Sequence, residues 1–267
     1  MSRFDENFSR DYTKIKFVTE GILIREMMGD PLLNNYSVIM LDEVHERTAQ
    51  IDIIMGLLKK ILKRRRDLKL IISSATVDAE YIRDFFNRGK ESSKTGSATI
   101  LSVEGRNYNV DVFYLDSPCA DYVKGCVETA IKIHEKEPPG DILVFLTGME
   151  EVDHCSNLLK NYSDTARDSQ HGLKMWISPM YGALAPAKQL KALRPAGKGY
   201  RKIVVATNIA ETSITIEGVS HVIDSCFVKL ACFNNETFNN SLIITEVSQA
   251  SAEQRAGRAG RTRPGEF

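Results

Sequence analysis

The sequence predicts an α/β fold with parallel sheet, divided into two lobes. Runs such as Val38-Ile-Met-Leu41 and Ile203-Val-Val-Ala206 are apolar without alternation, which suits buried parallel strands. Longer amphipathic stretches alternate with these runs, the pattern of strand–helix–strand units. With 267 residues the chain is long enough for two compact domains that each bury a core.

In chain order, strands are expected at residues 14–19, 37–41, 68–73, 109–115, 142–146, 175–179, 202–206 and 221–224, each a short apolar or β-rich run. Helices are expected at 48–62, 79–86, 122–134, 150–159 and 252–257, the amphipathic stretches between them. Residues 242–244 are expected to close a hairpin with 229–233. The polar tract 88–97 is a surface loop by composition, and Val103-Glu-Gly-Arg-Asn-Tyr108 reads as a connection. The lobes are therefore expected at 1–104 and 105–267. The basic cluster Lys59, Lys60, Lys63, Arg64, Arg65 and Arg66 ends an expected helix and reads as a solvated face, because helix C-termini attract cations.

The chemistry is concentrated in two places. Near the C-terminus, Gln254-Arg255-Ala-Gly-Arg258-Ala-Gly-Arg261 repeats arginine every third residue with only Gly or Ala between. Arginine is permanently charged and its donor fork matches phosphate oxygens, while small neighbours permit close approach. The run reads as a polyphosphate clamp. Upstream, the apolar run after Tyr36 ends in Asp42-Glu43-Val44-His45. Ligands of open α/β sheets lie beyond the carboxyl ends of the strands. There one acid can hold Mg²⁺, directly or through water, and a second can orient or deprotonate a water that attacks a γ-phosphate. Asp42 suits the first role and Glu43 the second; taken alone, the pair would equally suit a helix N-terminus.

These residues resemble the signature blocks of the DEAH/DExH-box helicases. Asp42–His45 resembles motif II, Ser74-Ala75-Thr76 motif III, Phe145-Leu-Thr147-Gly148 motif IV, the stretch from Ala206 to Thr215 motif V, and the arginine run motif VI. Thr19-Glu-Gly-Ile-Leu-Ile-Arg25-Glu26 resembles the motif Ib region. The blocks stand in family order over nearly the whole chain, closest to the splicing-associated RNA helicases. Val44 stands where the DEAH form has Ala.

The resemblance implies two RecA-like lobes of the parallel-sheet P-loop NTPase type, the first incomplete, with the nucleotide between them. It implies hydrolysis of ATP or another NTP with Mg²⁺, coupled to stepping along single-stranded RNA. Glu43 would be the base and Asp42 the Mg²⁺ ligand. His45, Ser74, Thr76 and Thr215 would line the nucleotide site or couple it to lobe motion. Gln254 would position the attacking water or a phosphate oxygen, and Arg258 and Arg261 would act as arginine fingers across the lobes. Phe227 stands where the family stacks a Phe on the base; a core aromatic is the equal alternative, and Ser225-Cys226 and residues 231–236 depart from the family pattern. Thr19, Arg25, Thr147, Gly148, Thr207, Asn208 and Thr212 would contact the RNA backbone, since hydroxyls and amides bind phosphate and sugar without reading bases. Spliceosomal proteins, a G-patch-type activator, a monomeric state and a nuclear location are further implications.

Composition narrows this picture. Charge balances at 35 basic and 35 acidic side chains, so any grip on RNA must be local. The cysteines (Cys119, Cys126, Cys155, Cys226, Cys232) form no C-x-x-C pair, which fits a reducing compartment. No apolar run approaches the ~20 residues of a membrane span, and the charged N-terminus does not read as a secretory signal. No G-x-x-x-x-G-K-[S/T] loop is present: Gly89-Lys90 precedes Glu91 and Gly197-Lys198 precedes Gly199. The expectation is a helicase-core fragment whose own ATP turnover is negligible, with an RNA- or protein-binding module as the alternative.

Overall fold

The computed structural model describes residue 9 and residues 12–74, 79–87, 98–102, 108–165, 172–211, 214–236 and 238–267. The chain divides into two compact units, Met1–Glu104 and Gly105–Phe267.

The first unit carries α1 (Glu20–Gly29), β1 (Val38–Leu41), α2 (Ala49–Arg64), β2 (Lys69–Ile72) and α3 (Ala79–Asn87). β1 and β2 pair in parallel, Val38 opposite Lys69 through Leu41 opposite Ile72. The Thr48 hydroxyl opens α2 by accepting from the Ile51 amide at 3.1 Å, so one orphan donor of the first turn is satisfied. Ile51, Ile54, Leu58 and Ile61 then recur at helical spacing and bury one stripe of α2 in a cluster with Ile39, Leu41 and Phe86. β1 departs from the expectation of a strand covered on both faces: Ile39 and Leu41 are buried, whereas Val38 and Met40 are 50% and 58% exposed. Residues 14–19 also depart, forming no strand. A strand exists through inter-strand hydrogen bonds, no described strand flanks this stretch, and Ile15 and Phe17 stay 76% and 80% exposed.

The second unit contains β3 (Val110–Asp111), α4 (Tyr122–Lys136), β4 (Asp141–Phe145), α5 (Met149–Thr165), β5 (Lys174–Met180), α6 (Pro186–Leu193), β6 (Tyr200–Ala206), β7 (Val219–Asp224), β8 (Phe227–Asn234), β9 (Asn239–Glu246), α7 (Gln249–Ala256) and β10 (Gly265–Glu266). Its sheet has six strands in the order β3-β10-β7-β4-β6-β5, all described pairings parallel. Here the unbroken apolar runs are buried on both faces, as read from the sequence. Ile142, Val144, Ile203 and Val205 pack with Cys126, Ala130, Val152, Cys155 and Leu159 of α4 and α5. Their alternates Leu143, Phe145, Val204 and Ala206 pack with Ala192 of α6, Ala210 and Ala259.

The expected strand at 109–115 shrinks to β3, which pairs with the unanticipated β10. β8 and β9 form a longer antiparallel hairpin than expected, with Leu230 opposite Ile243 and most side chains exposed. Arg201 caps the C-terminus of α4, its guanidinium donating to the carbonyls of Ile133, Glu137 and Pro138. Lys202 is fully buried, with Nζ 2.8 Å from the Arg194 carbonyl and 3.8 Å from Asp141. Burial pushes the Lys202 ammonium down and the Asp141 carboxyl up from their ordinary values. Among the described residues, no helix is long and apolar enough to cross a membrane.

Candidate active site

In the first unit, β1 ends at Leu41 and its parallel neighbour β2 ends at Ile72, so Asp42 and Ser73 leave the same sheet edge. Two backbone bonds hold the loops together: the Ser73 amide donates to Leu41, and the Val44 amide donates to Ser73. The loop is tightly wound. Glu43 and Arg47 both lie in the left-handed region, at φ 53° and 48°, on either side of a 3₁₀ turn at Val44–Glu46. Such a conformation costs a non-glycine residue on the order of 1–3 kcal/mol, and strain of this kind clusters at functional sites. Its result is geometric: Glu43 Oε2 lies 3.2 Å from His45 Nε2, with the imidazole nearly buried and the carboxylate half-exposed. Val44 is wholly buried, so the apolar residue between them anchors the turn.

Asp42 is exposed, and its Oδ1 accepts from the Glu43 amide at 3.0 Å. One carboxylate with a single free oxygen suits a cation that keeps most of its waters, which is the habit of Mg²⁺. Ser74 Oγ is buried and makes no hydrogen bond among the described residues. Thr19 is the N-cap residue of α1; its hydroxyl makes no capping bond and is exposed, as is Arg25 on the same helix. Thr76 and Thr212 lie outside the described residues.

In the second unit, β4, β6 and β7 are adjacent and end together, Phe145 opposite both Ala206 and Asp224. The expected site residues leave this carboxyl edge. Thr147 is buried: its amide and hydroxyl both donate to the Glu151 carboxylate, at 3.0 and 2.8 Å. Glu151 also accepts from the Tyr122 hydroxyl at 2.6 Å. Burial, then the Glu151 carboxylate, hold that phenol above its ordinary range. Gly148 has no side chain over its backbone, and the Lys229 ammonium hangs 3.9 Å from where a Cβ would sit. Thr207 is half-buried and Asn208 exposed, at the start of a 3₁₀ turn. The Phe227 ring is half-buried and packs on Tyr122, centroids 5.2 Å apart, so part of it serves the core.

The arginine run separates into three different environments. Arg255 is buried, donating to Glu211 at 2.9 Å and Asp224 at 2.7 Å, and lies 4.9 Å above the Phe145 ring. Arg258 is 9% exposed and donates to the backbone carbonyls of Ile214 (3.1 Å) and Glu211. Arg261 is exposed and donates to the Thr215 hydroxyl. Gln254 is half-buried, and its side chain makes no hydrogen bond among the described residues. The smallness of Gly260 has a packing cause: a Cβ there would lie 2.6 Å from the Tyr108 carbonyl oxygen. Arg255, read from the sequence as part of a phosphate clamp, is instead a buried strut paired with Glu211 and Asp224, and Glu151 and Tyr122 are residues that sequence reasoning passed over. The available signal was the three-residue spacing of Arg255 and Arg258, which puts them on one face of a helix and its continuing turn.

The open parallel sheet, covered by helices and carrying these loops at its carboxyl edge, defines a RecA-like α/β lobe. Residues 125–263 match the helicase conserved C-terminal domain. The chain therefore belongs to the helicase family, and the proteins it is similar to carry the names of ATP-dependent RNA helicases and, in one case, a pre-mRNA-splicing factor. It is 51% identical over 264 residues to the probable ATP-dependent RNA helicase DHX35 of Homo sapiens, covering 98% of this chain and 38% of that protein. It is 48% identical over 263 residues to the pre-mRNA-splicing factor ATP-dependent RNA helicase prp22 of Schizosaccharomyces pombe, covering 98% of this chain and 22% of that one. Among solved structures, the Escherichia coli DExH-box NTPase HrpB is similar at TM-score 0.80 and 36% identity, covering 100% of this chain and 31% of that chain. The chain thus spans well under half the length of the relatives it matches.

Proposed function

We propose that this chain forms part of an ATP-dependent RNA helicase that hydrolyses Mg-ATP and uses lobe movement to step along single-stranded RNA in pre-mRNA splicing. The observation that carries this reading is the strained loop after β1, which holds Glu43 against His45 at 3.2 Å beside the exposed carboxylate of Asp42. A carboxylate against an imidazole at a sheet's carboxyl edge is placed to take a proton from water. Mg²⁺ bound at Asp42 would neutralise phosphate charge. Arg261 supplies an exposed guanidinium to a phosphate, and Gln254 of the same run supplies a side-chain amide. Thr19 and Arg25, with Gly148, Thr207 and Asn208, offer hydroxyl, amide and cationic groups to a ribose–phosphate chain. Thr147 contributes by fixing the Gly148 turn through Glu151 rather than by lending its own hydroxyl.

Spliceosomal partners, a G-patch-type activator and a nuclear site of action accompany this proposal. A second reading is favoured by one sequence observation, the lack of a G-x-x-x-x-G-K-[S/T] loop within the 267 residues. On that reading the chain alone binds RNA or protein without turning over ATP. Measuring RNA-stimulated ATP hydrolysis on the isolated chain and on a full-length protein containing it tests both. Turnover by the longer protein alone is the expected result; none by either would overturn the enzymatic reading.

A further inference from the structure

The amino-terminal side of the six-stranded sheet, away from Thr207 and Phe227, carries a second cluster. Glu266 of β10 is the register partner of both Asp111 on β3 and His221 on β7. Register partners in a parallel sheet point to the same face, so three titratable side chains form a row across adjacent strands. Glu137, the C-cap residue of α4, joins them. Donor atoms of Glu137, His221 and Glu266 lie within 4.8 Å of one another, and His221 Nε2 is 3.7 Å from Glu266 Oε2.

We propose that Glu137, His221 and Glu266 bind a divalent transition-metal ion of the zinc class. Donors of a tetrahedral ion with bonds of about 2.0–2.1 Å stand roughly 3.3 Å apart, so modest rotation of the two glutamates would bring the three donors to that spacing and leave the fourth position for water. His221 is already oriented. Its Nδ1 lies 2.9 Å from Ser220 Oγ, which leaves Nε2 facing the carboxylates, and ligating histidines are held by such an outer hydrogen bond. The imidazole forms the buried floor, while the Glu266 side chain is 43% exposed, so an ion can enter from solvent. The charges of Arg201 and Arg263 reach the imidazole, but their guanidinium groups donate to backbone and not to the three ligands: Arg201 to the carbonyls that end α4, and Arg263 to those of Pro139 and Gly218. Asp111 adds a further carboxylate beside Glu266. Mixed imidazole and carboxylate ligation favours zinc over magnesium or calcium. The ion would tie the two-residue strand β10 to β7 and to the end of α4, a clip on the strand that follows the arginine run.

The test is calorimetric titration of Zn²⁺ into the purified 267-residue chain with the exposed Cys119, Cys226 and Cys232 replaced by Ser, so that thiols do not compete. One equivalent should bind and raise the melting temperature. Glu137→Gln and Glu266→Gln, both at partly exposed positions, should each weaken binding by about tenfold or more and abolish the melting shift. Failure of the parent chain to bind, or unchanged affinity in both variants, overturns the proposal.

Discussion

Arg255 donates to the Glu211 carboxylate at 2.9 Å across 44 residues of sequence, with 1% of the Arg255 side chain exposed. The same guanidinium bonds Asp224 at the end of β7, so one cation joins α7, the loop after β6 and the sheet. Removing one partner of a buried pair leaves uncompensated charge, typically at about 3–5 kcal/mol. Arg255→Met should lower the unfolding free energy by that order in urea denaturation. A loss below ~1 kcal/mol would show that both carboxylates find other partners.

The two following arginines should behave differently from each other. Arg261 is exposed, so Arg261→Ala should change stability by no more than about 0.5 kcal/mol. In a full-length protein it should nevertheless reduce ATP turnover by ~10³–10⁵-fold, the scale of an arginine finger. Arg258→Ala should reduce turnover and also cost about 1–3 kcal/mol, because it leaves the Glu211 and Ile214 carbonyls without their donor. Normal turnover at saturating RNA, with weakened RNA affinity and a flatter salt dependence, would reassign Arg261 to RNA phosphate.

Glu43→Gln preserves shape but removes the base. In a full-length protein it should retain ATP binding and lose about 10²–10⁴-fold in hydrolysis. Near-normal turnover by a correctly folded variant would place the base elsewhere.

Acid should act through His221. Burial, followed by the charges of Arg201 and Arg263, holds its pKa down at about 4, against an ordinary 6.5. Between those values the unfolded chain binds a proton that the folded chain refuses, so stability falls as pH drops through 6.5 and the loss is complete below about 4. The contribution is at most about 3 kcal/mol. Urea midpoints measured in EDTA from pH 7.5 to 4.5 should decline more steeply for the parent chain than for His221→Gln. Parallel pH profiles would remove His221 from this role.

The double-sided core strands β4 and β6 were legible because each carries an unbroken apolar run, Ile142–Phe145 and Ile203–Ala206, a property of the local sequence. The stretch 14–19 misled for the same reason: its pattern is strand-like, but a partner strand cannot be read from it. Helix α6 escaped notice as a short element, opened by Pro186 at a first-turn position. β10 is two residues long and exists through pairing with β3 and β7, which no local pattern announces. In the candidate site, Asp42, Glu43 and His45 were legible as chemistry, while the left-handed turn that presses Glu43 against His45 was not.

The sequence by itself determined the α/β class, the order of the motif blocks and the family, because these depend on residue identity at short spacing. Tertiary structure alone decided which arginine of a regular run is a buried strut and which faces solvent. Three residues with the same side chain and similar neighbours diverge because Arg255 meets Glu211 and Asp224, Arg258 meets backbone carbonyls, and Arg261 meets the Thr215 hydroxyl at an exposed position. Those partners lie 31 to 47 residues away in the chain, and only folding brings them within hydrogen-bond distance.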